Sequence, residues 1–534
     1  MSATRPDTDE TPRIQRANDF LRGREPYVLA ILLFAVASTA GVVLHHADKF
    51  SLYYFGDASS HIIKAREFTD RVLQVRFTIG TTWLPLPHLL LFPFAAVDNF
   101  FFSGIAGMFV GIPCLVGTGV LLFLIVNDVT GSSLTAFVMA AIFGLNPNIV
   151  YMALTPMDEI SLIFFVTLAG YALFRWLKHG SLRMLLLSAV AVMLASLCRY
   201  EAWTLAPLLL LAAFRQAVPF WRRSEEPAAI RIVAISVVSF AGIFFWVVWH
   251  FLVFSDPLRF AQGTYSALAE YYRLSDQRLP FNILFNFGRA VLDIFGPVLI
   301  LAAAAGCGRI RKNPDRMNIL FLLIFFAAPL LFTISAALAG YVGIDQWWWN
   351  WRYILTFGLF LAVAGGIGIV SLPPKIFRLR TRPIVFAGLI AMPLVQLCVP
   401  SVNVATYMDA AKCISPTIRD ALVFGGRLSG RYTGGSIALL TEESSADRVK
   451  LGSWIPNKFF HSIHFPLGYR VPDSLLSADN YIVMEKNKAR EPWTLPPDSP
   501  PVPDYFPPNY RVVIEDSCFS FLERDPGLIQ ADHR

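Results

Sequence analysis

Long apolar runs recur from residue 27 to residue 400, and they restrict this 534-residue chain more than any other feature. The first, "YVLAILLFAVASTAGVVLH" (27–45), contains no Asp, Glu, Lys or Arg. A helix rises 1.5 Å per residue, so about 20 such residues cross a hydrocarbon core of about 30 Å. Comparable runs fall at 103–126, 133–153, 159–177, 183–198, 202–215, 230–254, 286–306, 319–340, 354–372 and 383–400, several of them short of a full crossing. Charged residues make up 16% of the chain, where a soluble protein carries about a quarter. The expected fold is an all-α polytopic membrane protein with about eleven transmembrane helices between residues 27 and 400.

The direction of crossing follows from the basic residues. The polar, Arg-rich tail at 1–26 precedes a run long enough to span, so it reads as the cytoplasmic end of an uncleaved anchor. The stretch "LPLPHLLLFPFAAVD" (84–98) is short and holds Pro85, Pro87 and Pro93, so it either crosses or only dips into the membrane. If it dips, "RWLKHGSLR" (175–183), "RQAVPFWRRSEEPAAIR" (215–231), "RIRKNPDR" (309–316) and "PPKIFRLRTR" (373–382) are all cytoplasmic. If it crosses, all four lie outside. Only the first arrangement obeys the positive-inside rule. The same loops account for the net charge of +7 without a nucleic-acid partner. The absence of an evident internal or inverted repeat counts against a secondary transporter.

Residues 401–534 change character and read as a small extracytoplasmic α/β domain. Strands are expected at 436–440, 480–484 and 510–516, a helix near 444–452, and extended chain in "EPWTLPPDSPPVPDYFPP" (491–508). His461 and His464 alone are a weak metal signal. The six cysteines show no ligand spacing; Cys114, Cys198, Cys307 and Cys398 read as packing residues, and Cys413 with Cys518 as the one pair open to a disulfide.

The outer face then collects 46–102, "LTPMDE" (154–159), "CRYEAW" (198–203), 255–282 and "YVGIDQWWWNWRY" (341–353). In "YYFGDASSHIIKAREF" (53–68), Asp57, His61 and Lys64 recur at i, i+4 and i+7, one face of a helix, beside an apolar face of Ala58, Ile62, Ile63 and Ala65. Asp57 is either the N-cap of that helix or a carboxylate presented to a substrate. Asp158 and Glu159 stand where a span begins; they either complement its dipole or share general-base and orienting work, or bind a divalent cation. Arg199 and Arg352 either snorkel, with Trp347–Trp349 and Trp351 as an aromatic belt, or hold a lipid phosphate, which suits the guanidinium fork. Tyr265, in a polar turn with Gly263 and Ser266, and Tyr353 are further substrate-contacting candidates.

The motifs "FGDASSHIIKA", "GTTWLPLPHLL", "LNPNIVYMALTPMDE" and "NWRY", in that order and on one membrane face, resemble the GT-C superfamily of polytopic glycosyltransferases, in particular the family 39 group related to protein O-mannosyltransferases. The resemblance covers about residues 25–400. It implies a GT-C-like fold in a bacterial inner membrane, and transfer of a sugar from a polyprenyl-phosphate donor to a lipid, glycan or protein acceptor outside the cytoplasm. It makes Asp57 the catalytic acid of the first outer loop, Glu159, or else Asp158, the acid of the second, and Arg352, with Arg199, the contact to the donor phosphate. His61, Lys64, Asp158, Tyr265 and Tyr353 would touch substrate, and a divalent cation would sit at Asp57 and Glu159. The mannosyltransferases carry an Asp-Glu pair in the first loop, whereas here Ala58 follows Asp57. With no covalent nucleophile evident, one in-line displacement inverts the anomeric carbon. The rival expectation is a transporter or lipid flippase, for which Arg289 and Asp293 are the mid-membrane charges.

Overall fold

The computed structural model describes residues 23–70, 79–80, 82–261, 280–344, 350–371, 407–408, 416–440, 443–456, 459–462, 480–485, 510–515 and 519–525. The 383–400 run, Tyr265, Trp347–Trp349, Cys413, Cys518, His464 and the Pro-rich 491–508 segment lie outside the described residues.

In chain order the helices begin with α1 (Glu25–Ala47), α2 (Gly56–Asp70), α3 (Leu86–Ala95), α4 (Asp98–Ser103), α5 (Ala106–Thr130), α6 (Ser133–Gly144) and α7 (Pro147–Leu154). Next come α8 (Glu159–His179), α9 (Leu182–Ser196), α10 (Leu205–Arg222), α11 (Glu226–Val237) and α12 (Ala241–Phe254). Then follow α13 (Pro280–Arg309), α14 (Arg316–Leu338), α15 (Phe357–Val370), α16 (Pro416–Ser429) and α17 (Glu443–Ser453). Among the described residues, eight helices are long and apolar enough to cross a membrane, with α10, α13 and α15 extended by 3-10 turns and α11 with α12 forming one span. This is an integral membrane protein.

Three expected spans take another form or fall outside view. The 133–153 run is two helices, α6 and α7, bent by 58°. Pro147 causes the break, because its ring cannot continue α6 yet suits the first position of α7. The 183–198 run is the 15-residue α9. The ambiguous 84–98 stretch contains the 10-residue α3, about 15 Å long and too short to cross.

The described residues fall into two compact units. One comprises 1–41, 111–153 and 158–406. Within it α8 ends at Gly180 in the left-handed region, a glycine C-cap, and α9 returns beside it. Helix α13 kinks at Gly296–Pro297, and the Ile294 carbonyl accepts a 2.8 Å bond from Asn146 Nδ2 at the α6–α7 break. Backbone groups freed by two interrupted helices thus find partners inside the protein, as apolar surroundings require. Helices α13 and α15 touch backbone to backbone: a Cβ on Gly306 would lie 1.8 Å from the Ala364 carbonyl, and one on Gly368 2.0 Å from that of Ala302. Small residues drive close packing where lipid offers no hydrophobic force.

The other unit comprises 42–110, 154–157 and 407–534, so the first outer loop shares a unit with C-terminal residues. Its sheet runs β2-β1-β3-β5-β4, from β1 (Ile437–Leu440), β2 (Phe460–Ser462), β3 (Tyr481–Glu485), β4 (Tyr510–Glu515) and β5 (Phe519–Arg524). The first three strands in that order are parallel, and β5 and β4 are added antiparallel. Period-2 alternation sorts the faces: Ile437, Leu439, Tyr481, Val483, Phe519 and Phe521 pack with Phe424 and Leu428 of α16. Ala438, Ile482 and Leu522 face the other way. The expected strands and the 444–452 helix are present, while α16, β2 and β5 were not anticipated.

Gly306→Val should force α13 and α15 apart and lower the thermal midpoint of the detergent-solubilised protein, at a cost of about 1–3 kcal/mol. Gly308→Ala, where a Cβ meets nothing within 4 Å, should leave the midpoint unchanged.

Candidate functional site

Asp158, Glu159, Arg199, Arg352 and Tyr353, all expected from sequence to carry chemistry, meet at one end of the spanning unit. Glu159 opens α8, where the positive end of the helix dipole favours an anion. Asp158 occupies the N-cap position but makes no side-chain capping bond. Its carboxylate instead accepts a 2.6 Å bond from Arg199 Nη1. Because α8 and α9 form an antiparallel hairpin, Arg199 arrives at the end where α8 begins. It is extended, with φ −151° and ψ 150°, ahead of a 3-10 turn at Tyr200–Thr204.

Arg199 is shared by three carboxylates. Its Nη1 also lies 3.0 Å from Glu159 Oε1, and its Nε lies 2.6 Å from Glu201 Oε1. Burial works against the charge of Arg199, but Asp158, Glu201 and Glu159 outweigh it and hold the guanidinium more firmly protonated than usual. Arg352 Nε approaches the same Glu159 Oε1 at 3.3 Å. The turn carrying Arg352 (Trp351–Ile354) is set by Asn350, which takes φ 60° and donates from Nδ2 to the Gly343 carbonyl at 2.9 Å. The Tyr353 ring lies 4.8 Å from the Arg199 guanidinium carbon and 5.4 Å from that of Arg352, within cation–π range of both.

These contacts change two readings. Neither arginine is a snorkelling residue, since both are engaged by buried acids, and Trp351 is fully buried rather than part of a lipid-facing belt. Glu159 is only 3% exposed, and its Oε2 has no hydrogen-bond partner among the described residues. Its Oε1 lies against both guanidiniums. At the opposite end of the spans, Arg175 pairs with Asp128 at 3.0 Å and Lys178 with Asp315 at 3.6 Å. Two of the basic loops therefore lie at one end of the helices and the acid–arginine cluster at the other.

The first outer loop sits in the second unit. Helix α2 begins at Gly56, so Asp57 lies inside the first turn rather than at the cap, partly exposed. Ala58, Ile62, Ile63 and Ala65 are buried, as the helical pattern requires. His61 is buried too. Its Nδ1 lies 2.8 Å from Nε2 of His88 on α3, and Trp83 packs 4.6 Å from its ring. Lys64 is committed to Glu67 at 2.8 Å. Burial pushes the Glu67 carboxyl up against the opposing pull of Lys64 and then Lys450, with Asp447 adding a smaller push upward. His88 and Trp83 received no role from sequence, although "GTTWLPLPHLL" marked their segment. Their pairing with α2 depends on a helix–helix contact that no local pattern encodes.

Among the described residues no group of three or more His, Cys, Asp and Glu side chains is gathered in a way that could hold a metal ion. Glu159 faces the guanidinium groups of Arg199 and Arg352.

Comparison with solved structures extends over nearly the whole chain. ArnT from Cupriavidus metallidurans, crystallised with undecaprenyl phosphate, matches with a TM-score of 0.53 at 12% identity, covering 93% of this chain and 98% of that one. The fold is GT-C-like. The apo state of the same ArnT gives a TM-score of 0.49 at 14% identity, covering 92% of this chain and 99% of that one. The archaeal oligosaccharyltransferase AglB from Archaeoglobus fulgidus, in complex with an inhibitory peptide and a dolichol-phosphate, gives 0.48 at 12% identity, covering 87% of this chain and 70% of that one. No protein-family model and no curated protein sequence matches the chain. At such identities the GT-C-like likeness is one of fold.

Arg199→Met should strand buried Asp158 and Glu159 and half-buried Glu201 without their shared cation and destabilise the solubilised protein by about 3–5 kcal/mol, read as a lowered thermal midpoint. Arg199→Lys, a point charge without the fork, should recover only part of that loss, and Arg199→Met with Glu201→Gln more than Arg199→Met alone.

Proposed function

We propose that the chain is a GT-C glycosyltransferase that moves a sugar from a polyprenyl-phosphate donor to an acceptor hydroxyl on the extracytoplasmic face of the membrane. The observation that carries the proposal is the arginine pair, half-buried Arg199 and buried Arg352, held by carboxylates at one end of the spans in a fold shared with an undecaprenyl-phosphate-bound ArnT. The narrower family 39 reading rests on the sequence motifs around Asp57 and Glu159.

In the proposed reaction the acceptor oxygen forms a bond to the anomeric carbon while the bond from that carbon to the donor phosphate oxygen breaks. The acceptor proton passes to Asp57, and the polyprenyl phosphate leaves with one more negative charge. Charge that appears only in the transition state is what a fixed cation stabilises best. Arg352 is the favoured phosphate contact, because it meets one acid where Arg199 meets three. Glu159 holds both guanidiniums in place. A single displacement inverts the sugar, and nothing in the reaction distinguishes a hexosyl from a pentosyl donor. A divalent cation, if one joins Asp57, would add to the same phosphate stabilisation.

A transporter or flippase has one observation in its favour, the interrupted helices α6–α7 and α13 meeting at Asn146. The mid-membrane charges invoked for it, Arg289 and Asp293, lie 3.5 Å apart and neutralise each other within one helix.

Membranes containing the protein should transfer label from polyprenyl-phosphate sugars to an acceptor fraction. At equal expression, Asp57→Asn should slow transfer by about 10²–10⁴-fold and Arg352→Ala by about 10²–10³-fold. Movement of label across the membrane with no new glycosidic bond would favour the transporter. Reporter fusions after residue 100 and within 215–225 should report external and cytoplasmic locations respectively, as the positive-inside rule requires.

A further inference from the structure

Helix α2, which carries Asp57, is wedged inside the second unit. On one side it meets α3, through Ile62, Ile63 and Ala65 against Leu91 and Ala95 and through the His61–His88 contact. On another it meets the C-terminal residues, because Leu422 and Leu451 belong to the same buried cluster. Ser60 Oγ donates a 2.8 Å hydrogen bond to Asp447 Oδ2 of α17, across a sequence separation of 387 residues. Asp447 is 7% exposed and is steadied by Lys450 at 3.7 Å, one turn along α17. Facing these, Lys64 and Glu67 pair along α2, and Glu67 senses both Lys450 and Asp447.

We propose that Asp447 is a positioning residue for Asp57, so that a helix near the far end of the chain sets the register of the first-loop acid. This rests on the reading of Asp57 as the base of a glycosyl transfer. Apolar packing is non-directional, so polar contacts set the register of α2: His61 with His88 on α3, Arg66 with the Ala95 carbonyl at 2.8 Å and with Asp98, and, nearest Asp57 along the helix, Ser60 with Asp447 on α17. A hydrogen bond to a carboxylate is directional and short-ranged. Ser60 stands three residues from Asp57, one turn along the same side of the helix, so fixing Ser60 fixes the azimuth and height of Asp57. A base displaced by about 1 Å loses up to about 10² in rate. The C-terminal domain is then part of the catalytic geometry and not only a cover over it.

The test uses the full-length protein in membranes with labelled polyprenyl-phosphate sugars. Asp447→Ala should lower kcat by about tenfold or more with the KM for donor unchanged. Asp447→Asn keeps an oxygen that accepts from Ser60 and should restore most of that loss. Ser60→Ala should match Asp447→Ala, and the double variant should lose no more than either single one. An unchanged kcat in Asp447→Ala, multiplying losses in the double variant, or an Asp447→Asn no better than Asp447→Ala would overturn the proposal. Hydrogen exchange provides a readout independent of turnover. Asp447→Ala should speed exchange of amides 56–70 while the β1–β3–β5 core stays protected. Unchanged exchange in 56–70, or equal loss of protection throughout the unit, also counts against the positioning role. If wild-type membranes transfer no sugar at all, the glycosyltransferase reading fails, and the exchange result still decides whether Asp447 holds α2.

Discussion

A guanidinium can be kept out of water only where anions surround it, and Arg199 meets that condition with three carboxylates from two segments of the chain. Much of the spanning unit follows from that condition. The α8–α9 hairpin must return at the length that brings residue 199 level with residues 158 and 159. The turn at Trp351–Ile354 must enter with Arg352 directed at the same Glu159. Desolvating any one member alone would be costly, whereas within the set each charge faces an opposite one. Acids and cations that look unrelated in sequence are thus one electrostatic unit at one end of the helices.

That unit also distributes chemical roles. Glu159 is nearly inaccessible and lies against two guanidiniums, and in the proposed reaction it would hold positive charge where the leaving phosphate gains negative charge. Arg199 meets three carboxylates where the ion pair of Arg352 is with Glu159, and the proposal assigns the donor phosphate to Arg352 on that ground. In the second unit the acid of the first loop is supported by long-range contacts, the His61–His88 pair and the Ser60–Asp447 bond. A catalytic group on a helix gains precision from such neighbours.

Local patterns made much of this legible. The apolar runs located most spans, the i, i+4, i+7 spacing placed Asp57, His61 and Lys64 on a helix, and alternation found three of the five strands. The misreadings have physical causes. An apolar run from 133 to 153 looks continuous, but Pro147 cannot extend α6 and its tilt is a backbone property that hydropathy does not register. Trp351 looked like an interfacial anchor because residue type does not reveal whether an indole meets lipid or protein. The pairing of His61 with His88 was not legible, because His88 comes from another helix. Strands β2 and β5 were missed because β2 has three residues and "FSFLER" carries its alternation in only two phenylalanines.

By itself the sequence determined that much of this chain crosses a bilayer as helices, because its apolar runs are too long and too many for a water-soluble core. It also determined that acids and arginines gather between those runs, because charge is excluded from the hydrocarbon interior. Only the tertiary structure decided which acid meets which arginine, that the first loop shares a core with the C-terminal residues, and that Asp57 rides on a helix bonded to Asp447. Those pairings join residues tens to hundreds of positions apart. Their energy comes from burial and directional bonds that exist only after the helices pack, so no local pattern could encode them.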